Sequence, residues 1–362
     1  MWKLPLAVGC VLIGSLFAGL TSLQAEEQPC AGAAVTLTPE HFQRPTCIFV
    51  RSQECPQSPG TNCPNCNFLY EYYGPDGLYH PIDGEAAFRI LPEKVPVLIL
   101  VHGSFVDFVD EPDLLKTYEW IRDEAPDKPL LVLCYRWPST IGCKVVLGSF
   151  AVCELAQRAE FNGFYLAQLI NRIPDSNSVR LMGHSHGCRM IASAMHLLSG
   201  GKVDGTALNP TAWSNRAFRV TFFSAAMDHD WFNPRQKYEF AIHRMCWLQN
   251  HRHSCDWALL TYPLRYPGSS RALGQAGFTK KDLRLLGSQA AKIEQFDDNR
   301  DQGIRWCGHS LETYLQDLRI KPVILNNIFS EVPELPSQVI EELLPPPRRL
   351  IPIPEVFSPA PE

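Results

Sequence analysis

The sequence predicts an α/β protein with a mostly parallel central sheet and helices on both of its faces. Residues 95–101 and 130–135 are continuous apolar runs, which is typical of strands buried on both faces of a parallel sheet. Residues 155–173 have the spacing of a long amphipathic helix that ends at Pro174. Strands that alternate with helices form parallel sheets, and their ligands bind at the carboxyl ends of the strands.

Further elements continue this alternation on either side. Residues 68–73 are aromatic-rich and precede a Gly-Pro-Asp-Gly turn, which predicts a strand, and another strand is predicted within residues 80–91. Residues 26–66 are predicted to be irregular. Later strands are predicted at residues 179–182, 218–225, 245–250 and 292–296, and further helices at residues 113–122, 187–198 and 311–318.

Composition divides the 362 residues into four parts. We predict a signal peptide over residues 1–25 and a cysteine-rich segment with leading strands over residues 26–94. The main α/β domain is predicted over residues 95–330, and a proline-rich tail over residues 331–362. The formal net charge of −5 gives no electrostatic basis for binding nucleic acid.

The N-terminus has the layout of a secretory signal peptide. Lys3 supplies one positive charge, residues 4–20 are almost wholly apolar, and Ala25 is a small residue directly before Glu26. We therefore expect export to the periplasm, the cell envelope or the medium. An uncleaved membrane anchor is the alternative, because the apolar run is nearly long enough to span a bilayer.

The cysteines fit an oxidising compartment. Early in the mature sequence a group of them lies close together, namely Cys30, Cys47, Cys55, Cys63 and Cys66. In an exported protein such a group predicts disulfide bonds, whose pairing the sequence leaves open. Cys63 and Cys66 could instead form half of a zinc site, but no second pair follows at a ligand spacing. Cys134 and Cys188 lie in predicted core elements, which favours buried thiols.

The main chemical signal is the run Gly-His-Ser-His-Gly at residues 183–187. It has the pattern G-x-S-x-G between a predicted strand and a predicted helix. In that context a tight turn exposes the serine, and side chains at the two glycine positions would collide with neighbouring elements. Ser185 would also stand at a helix N-terminus, where backbone N–H groups stabilise an anion. The pattern therefore predicts a nucleophilic serine.

A serine nucleophile needs a histidine to take its proton and a carboxylate to orient that histidine. His309 follows the last predicted strand, in a Gly-His-Ser loop. Asp228 and Asp256 each follow a strand after the serine turn, and either could supply the carboxylate. We prefer Asp256, because it follows the third strand in the series of predicted strands that starts with the one directly before Ser185. Asp228, close to Asp230, remains the alternative.

An acyl-transfer intermediate also needs backbone N–H donors for its oxyanion. His186 directly follows the serine, so its N–H is one candidate donor. The loop after residues 95–101 can supply a second donor, from Ser104 or Phe105.

With these features the chain resembles the α/β-hydrolase superfamily, and above all a poorly characterised bacterial branch with lipase-like and esterase-like members. The likeness covers about residues 95–318. It rests on His102-Gly103 after a buried strand, on residues 183–187, on residues 256–264 and on Gly308-His309.

The resemblance implies an α/β-hydrolase fold and a serine hydrolase that acts on carboxylic esters. Ser185 would be the nucleophile, His309 the base and Asp256 the acid, while Ser104 and His186 would donate N–H groups to the oxyanion. The implied substrate is a small-molecule or lipid ester. The resemblance implies neither a metal nor an organic cofactor. It also implies no nucleic acid as a binding partner.

A non-catalytic binding module of the envelope or cell surface is the rival interpretation. It would retain the scaffold while Ser185 and His309 had no chemical role. The cysteine-rich segment and the proline-rich tail would suit association with other envelope components. A zinc hydrolase is disfavoured, since the histidines form no His-Glu-x-x-His pattern.

Overall fold

A nine-stranded sheet organises the computed structural model, which describes residues 32–56, 66–105, 112–140, 148–208, 216–266, 268–298 and 309–333. The strands are β1 (Pro45–Arg51), β2 (Leu69–Tyr73), β3 (Tyr79–Pro81), β4 (Val97–Val101), β5 (Leu130–Arg136), β6 (Val179–His184), β7 (Phe218–Phe223), β8 (Met245–Arg252) and β9 (Ile293–Asp297).

Their spatial order is β3-β2-β1-β5-β4-β6-β7-β8-β9. β2 runs antiparallel to both β1 and β3, and every other neighbouring pair is parallel. The carboxyl ends of the parallel strands therefore share one edge of the sheet.

Helices connect the strands and flank the sheet. The α-helices are α1 (Gly84–Ile90), α2 (Pro112–Glu124), α3 (Gly148–Arg172), α4 (His186–Leu198), α5 (Ala241–Arg244), α6 (Trp257–Leu260), α7 (Tyr262–Arg265), α8 (Leu273–Ala276), α9 (Lys280–Leu286), α10 (Leu311–Leu315) and α11 (Ile320–Phe329). Two 3₁₀ helices span Pro39–Gln43 and Gly287–Lys292.

The core lies on both faces of the sheet, as the apolar runs predict. Alternate side chains of β4 point to opposite faces. Ile99 belongs to the core that contains α3 and α4, whereas Leu98 belongs to the core that contains α2, α10 and α11. Both residues are almost fully buried. A mostly parallel sheet with helices on both faces and a strand–serine–helix turn is an α/β-hydrolase fold, which confirms the predicted fold class.

Two predictions for the N-terminal part of the chain are wrong. β1 lies within the range predicted to be irregular, and it pairs in parallel with β5 through Phe49 and Cys134. Its short apolar run is buried, so it joins the sheet in spite of the polar sequence around it. Most of residues 80–91 form α1 rather than a strand, because the Asp83 side chain accepts the N–H of Ala86 at 3.0 Å and caps the helix.

Among the cysteines of the predicted group that the structure describes, Cys55 and Cys66 form a disulfide. Cys66 is thus not a zinc ligand. Cys30 and Cys63 lie outside the described residues.

Cys47 was expected to form a disulfide but is a buried thiol whose Sγ lies 3.5 Å from that of Cys134. The interior position of β1 explains this difference. Cys134 and Cys188 are fully buried thiols, as predicted.

Within the part of the chain that the structure describes, no helix is both long and apolar enough to cross a membrane. The predicted signal peptide lies outside the described residues, as does the tail from residue 334 onward. Export therefore remains a prediction.

Candidate active site

Ser185 occupies a strained turn between β6 and α4. Its φ is +54° and its ψ is −120°, a region that residues with a side chain rarely adopt. Such backbone costs on the order of 1–3 kcal/mol and persists only where the surroundings enforce it. The turn places the Ser185 side chain at the N-terminus of α4 and at the carboxyl edge of the sheet.

The flanking glycines allow this turn for steric reasons. A Cβ at Gly187 would lie 2.3 Å from the carbonyl oxygen of Val101 in β4, which cannot move without disrupting the sheet. A Cβ at Gly183 would lie 2.9 Å from the backbone nitrogen of Cys188. The pattern G-x-S-x-G is thus required by the close approach of α4 to the sheet.

A continuous hydrogen-bonded chain links Ser185, His309 and Asp256. The Oγ of Ser185 lies 2.8 Å from Nε2 of His309, and Nδ1 of His309 lies 2.6 Å from Oδ2 of Asp256. Because the carboxylate only accepts, Nδ1 carries the hydrogen and the Nε2 lone pair faces the serine hydroxyl. This is the arrangement in which a histidine can remove the proton of a serine.

Asp256 is held rigidly in this chain. It is fully buried and is the N-cap of α6, where its Oδ1 accepts the N–H of Leu259 at 3.1 Å. Each carboxylate oxygen therefore has a separate partner. The helix N-terminus also favours the negative charge of the carboxylate.

The alternative acid, Asp228, lies elsewhere in the hydrogen-bond network. Its Oδ1 accepts the hydroxyl of Tyr262 at 2.7 Å, and its Oδ2 accepts the N–H of Ser270 at 3.0 Å. Asp230 accepts the Ser270 hydroxyl. The structure thus brings Asp256, and not Asp228, to His309.

The two expected oxyanion donors are neighbours beside Ser185. His186 begins α4, so its N–H has no acceptor within the helix. Ser104 follows β4, and its Oγ lies 2.5 Å from Nδ1 of His186. Phe105 is not available as a donor, because its N–H donates to the carbonyl of Ser139 at 2.8 Å. Participation of Ser104 and His186 in an oxyanion hole remains a prediction.

A cavity of about 440 Å³ opens beside Ser185 and His309. Most of its wall is apolar, and α6 and α7 form one side of it. These helices also carry exposed apolar side chains, with Trp257 59% and Leu264 81% exposed, and Trp257 lines the cavity. The wall residues other than Ser185 and His309 are Ser104, Phe105, Val152, His186, Ala226, Trp257, Ala258, Leu259, Tyr262, Arg265 and Tyr266.

The histidines around Ser185 are kept neutral by burial. Burial, and then the proximity of His309, lowers the pKa of His184 well below its usual value. Burial, and then the Arg189 guanidinium, does the same to the pKa of His186. Burial lowers the pKa of His102, two residues before Ser104, to about 4. The imidazole of His309 therefore faces no histidine cation in its own neighbourhood.

Sequence reasoning missed the aromatic wall of the cavity. Tyr262 and Tyr266 pack with ring centroids 4.5 Å apart, and Nη2 of Arg189 donates to the Tyr262 hydroxyl at 2.7 Å. A usable signal existed, because the two tyrosines follow Asp256 closely in the sequence and are four residues apart, which places them on one face of a helical turn.

Within the described ranges, no cluster of three or more histidine, cysteine, aspartate or glutamate side chains could hold a metal ion. The His309 and Asp256 side chains are instead bonded to each other.

Comparison with known proteins gives distant matches among solved structures. No protein-family model and no curated protein matches this chain. An iodinated complex of acetyl xylan esterase is 14% identical with a TM-score of 0.31, covering 64% of this chain and 96% of that one. Esterase B from Lactobacillus rhamnosis, in a phosphonate-inhibited form, is 11% identical with a TM-score of 0.32, covering 85% of this chain and 86% of that one. Similarity this distant does not identify the catalytic residues of this chain or its substrate.

Proposed function

We propose that this protein is an exported serine hydrolase that cleaves carboxylic esters. The observation that carries the proposal is the hydrogen-bonded chain from Ser185 through His309 to Asp256, at the edge of a largely apolar cavity. The strained backbone at Ser185 supports it further, because strain of this kind is concentrated at functional sites.

The first half of the reaction forms an acyl-enzyme. Nε2 of His309 takes the hydroxyl proton of Ser185 while Oγ attacks the ester carbonyl carbon, and the carbonyl oxygen becomes an oxyanion. The N–H groups of Ser104 and His186 would stabilise this charge. When the intermediate collapses, the carbon–alkoxy bond breaks and His309 returns the proton to the departing alcohol.

The second half releases the acid. Nε2 of His309 takes a proton from a water molecule, whose oxygen attacks the acyl carbonyl and forms a second tetrahedral intermediate. Its collapse breaks the bond to the Ser185 oxygen, which regains the proton from His309. Throughout, the Asp256 carboxylate stabilises the imidazolium and keeps Nδ1 protonated. The protein's own side chains thus account for every proton transfer.

The cavity supports a substrate with an apolar part. The side chains of Val152, Ala226 and Leu259 offer no hydrogen bonds, and burying an acyl chain against them gains about 25 cal/mol per Å² of apolar surface. We therefore propose esters with an apolar acyl or alcohol group, either small molecules or lipids. Export is proposed from the predicted signal peptide, and the disulfide between Cys55 and Cys66 supports it.

A panel of p-nitrophenyl esters with acyl chains of increasing length tests the proposal, with the matched p-nitroanilides as amide substrates. The purified protein, with its disulfide intact, is expected to hydrolyse the esters, and Ser185→Ala is expected to lose at least about 10³-fold in kcat. A folded protein that hydrolyses none of them, or a Ser185→Ala variant with unchanged activity, would contradict the proposal. The first result would favour the binding-module interpretation.

A further inference from the structure

A second hydrogen-bonded chain lies in the same cavity as Ser185. The Tyr266 hydroxyl lies 2.7 Å from Nε2 of His186, and Nδ1 of His186 lies 2.5 Å from Oγ of Ser104. All three residues line the cavity that contains Ser185 and His309. None of these side-chain contacts is needed for the reaction as described above.

The direction of donation along these hydrogen bonds decides where the hydroxyl hydrogen of Ser104 points. A neutral imidazole has one N–H and one lone pair, so His186 donates at one nitrogen and accepts at the other. His186 is kept neutral because burial, followed by the Arg189 guanidinium, lowers its pKa well below the usual value. The direction is therefore set by the partner that donates to His186.

The chemistry of the two hydroxyls favours Tyr266 as that donor, because a phenol is more acidic than the aliphatic hydroxyl of Ser104 and is the stronger hydrogen-bond donor. The Tyr266 hydroxyl hydrogen can go to Nε2 of His186 at 2.7 Å or to the carbonyl of Val152 at 3.3 Å. The shorter contact lies at the usual O–H hydrogen-bond length, whereas the longer one lies beyond it. With Nε2 accepting, Nδ1 holds the hydrogen and donates it to Oγ of Ser104. The Ser104 O–H is then free to donate into the cavity.

We propose that Tyr266 and His186 are positioning residues that orient the Ser104 hydroxyl as an additional donor to the oxyanion of the substrate. The inference rests on the proposed function of this site. Its location fits, because an added Cβ at Gly103 would lie 3.0 Å from Cβ of Ser185, so the backbone leading into Ser104 passes directly beside the nucleophile.

The relay explains why an aromatic hydroxyl stands at position 266. The Tyr266 ring packs against Tyr262 and lies 4.9 Å from the Arg189 guanidinium, so the ring is fixed without the hydroxyl. Tyr266→Phe therefore removes the donor and retains the packing. His186 would then be free to exchange its hydrogen between nitrogens, and Ser104 would donate to Nδ1 instead of to the substrate.

A double-mutant cycle on ester hydrolysis tests the relay. Ser104→Ala and Tyr266→Phe are each expected to lower kcat, by up to about 10²-fold, with little change in KM. The double variant is expected to lose no more than Ser104→Ala alone, because Tyr266 acts only through the Ser104 hydroxyl. Tyr238→Phe is the matched control, since Tyr238 is buried and its hydroxyl has no hydrogen-bond partner among the described residues.

Three results would overturn the relay. These are full kcat in Ser104→Ala, losses in the double variant that multiply, or an effect confined to KM. Nitrogen-15 spectroscopy of labelled histidine gives a readout that does not depend on activity. It is expected to show the His186 hydrogen on Nδ1 in the wild-type protein, and a hydrogen on Nε2 contradicts the relay even if the protein hydrolyses no ester.

Discussion

The Nδ1 atom of His309 lies 2.6 Å from Oδ2 of Asp256, although the two residues are 53 positions apart in the chain. The contact joins the loop after β8 to the segment after β9, and these strands are neighbours in the sheet. An aspartate carboxylate accepts hydrogen bonds and donates none. The contact therefore fixes the tautomer in which Nε2 of His309 faces Ser185.

Asp256→Asn is expected to lower kcat by about 10⁴-fold with little change in folding. The amide oxygen can still cap α6 through the N–H of Leu259, whereas the amide NH₂ cannot accept from Nδ1 of His309. Steady-state kinetics on a p-nitrophenyl ester measures the loss.

Asp228→Asn is the matched control for the acid. Its amide oxygen can still accept from Tyr262, so kcat is expected to stay within about threefold of the wild-type value. A large loss in Asp228→Asn together with an active Asp256→Asn would assign the acid to Asp228.

Gly187→Ala is expected to destabilise the fold by about 3 kcal/mol or more. The new methyl would lie 2.3 Å from the carbonyl oxygen of Val101, and relief requires α4 to move away from β4. Gly205→Ala is the control, because nothing lies within 4 Å of its Cβ and only the left-handed backbone at φ +77° opposes the change. That cost is about 1–2 kcal/mol. Denaturant unfolding gives both values, and equal losses would refute the steric explanation.

Glu160→Gln is expected to cost about 3 kcal/mol of folding stability. The Glu160 side chain is 5% exposed, and both its oxygens lie 2.6 Å from Nζ of Lys237, with Arg189 at 3.3 Å. Neutralising it leaves a buried guanidinium without its counter-charge. Glu154→Gln, at a carboxylate that is 57% exposed in its pair with Arg158, should change stability by less than about 0.5 kcal/mol. Similar losses of stability in both variants would show that burial does not strengthen the contribution of Glu160 and its two cations.

Acid is expected to destabilise the fold in part through His102. Burial lowers its pKa from 6.5 to about 4, so only the unfolded chain binds a proton there between these pH values. Its contribution to stability is therefore complete above pH 6.5 and is lost as the pH falls toward 4, at about 1.4 kcal/mol per pH unit. The free energy of unfolding at pH 7, 6 and 5 should fall less steeply in His102→Gln than in the wild-type protein. Parallel curves would contradict this assignment.

Much of the fold could be predicted because the central strands are continuous apolar runs. β4 and β5 lie where such runs occur, and β4 starts after Pro96, which has no N–H for the sheet. β1 could not be found in the same way, since its apolar run is short and lies among polar residues and cysteines. Its place in the sheet depends on a distant partner, β5.

The site was predictable to the extent that it is local in sequence. The turn at Ser185 is specified by adjacent residues, so its position could be read directly. The preference for Asp256 over Asp228 could only be argued from strand order, because the outcome depends on which loop reaches His309 across the sheet. The role of Tyr266 was not found, since the four-residue spacing relates it only to Tyr262, whereas its role depends on a contact with the His186 side chain, 80 positions away.

The most direct test of the account is labelling with a fluorophosphonate probe, followed by mass spectrometry of the adduct. Such probes react with a serine whose proton is removed by a neighbouring base. The wild-type protein is predicted to carry the label on Ser185, and both Ser185→Ala and His309→Ala are predicted to remain unlabelled while folded. A folded wild-type protein that takes up no label, or takes it up at another residue, would contradict the claim that Ser185 is an activated nucleophile.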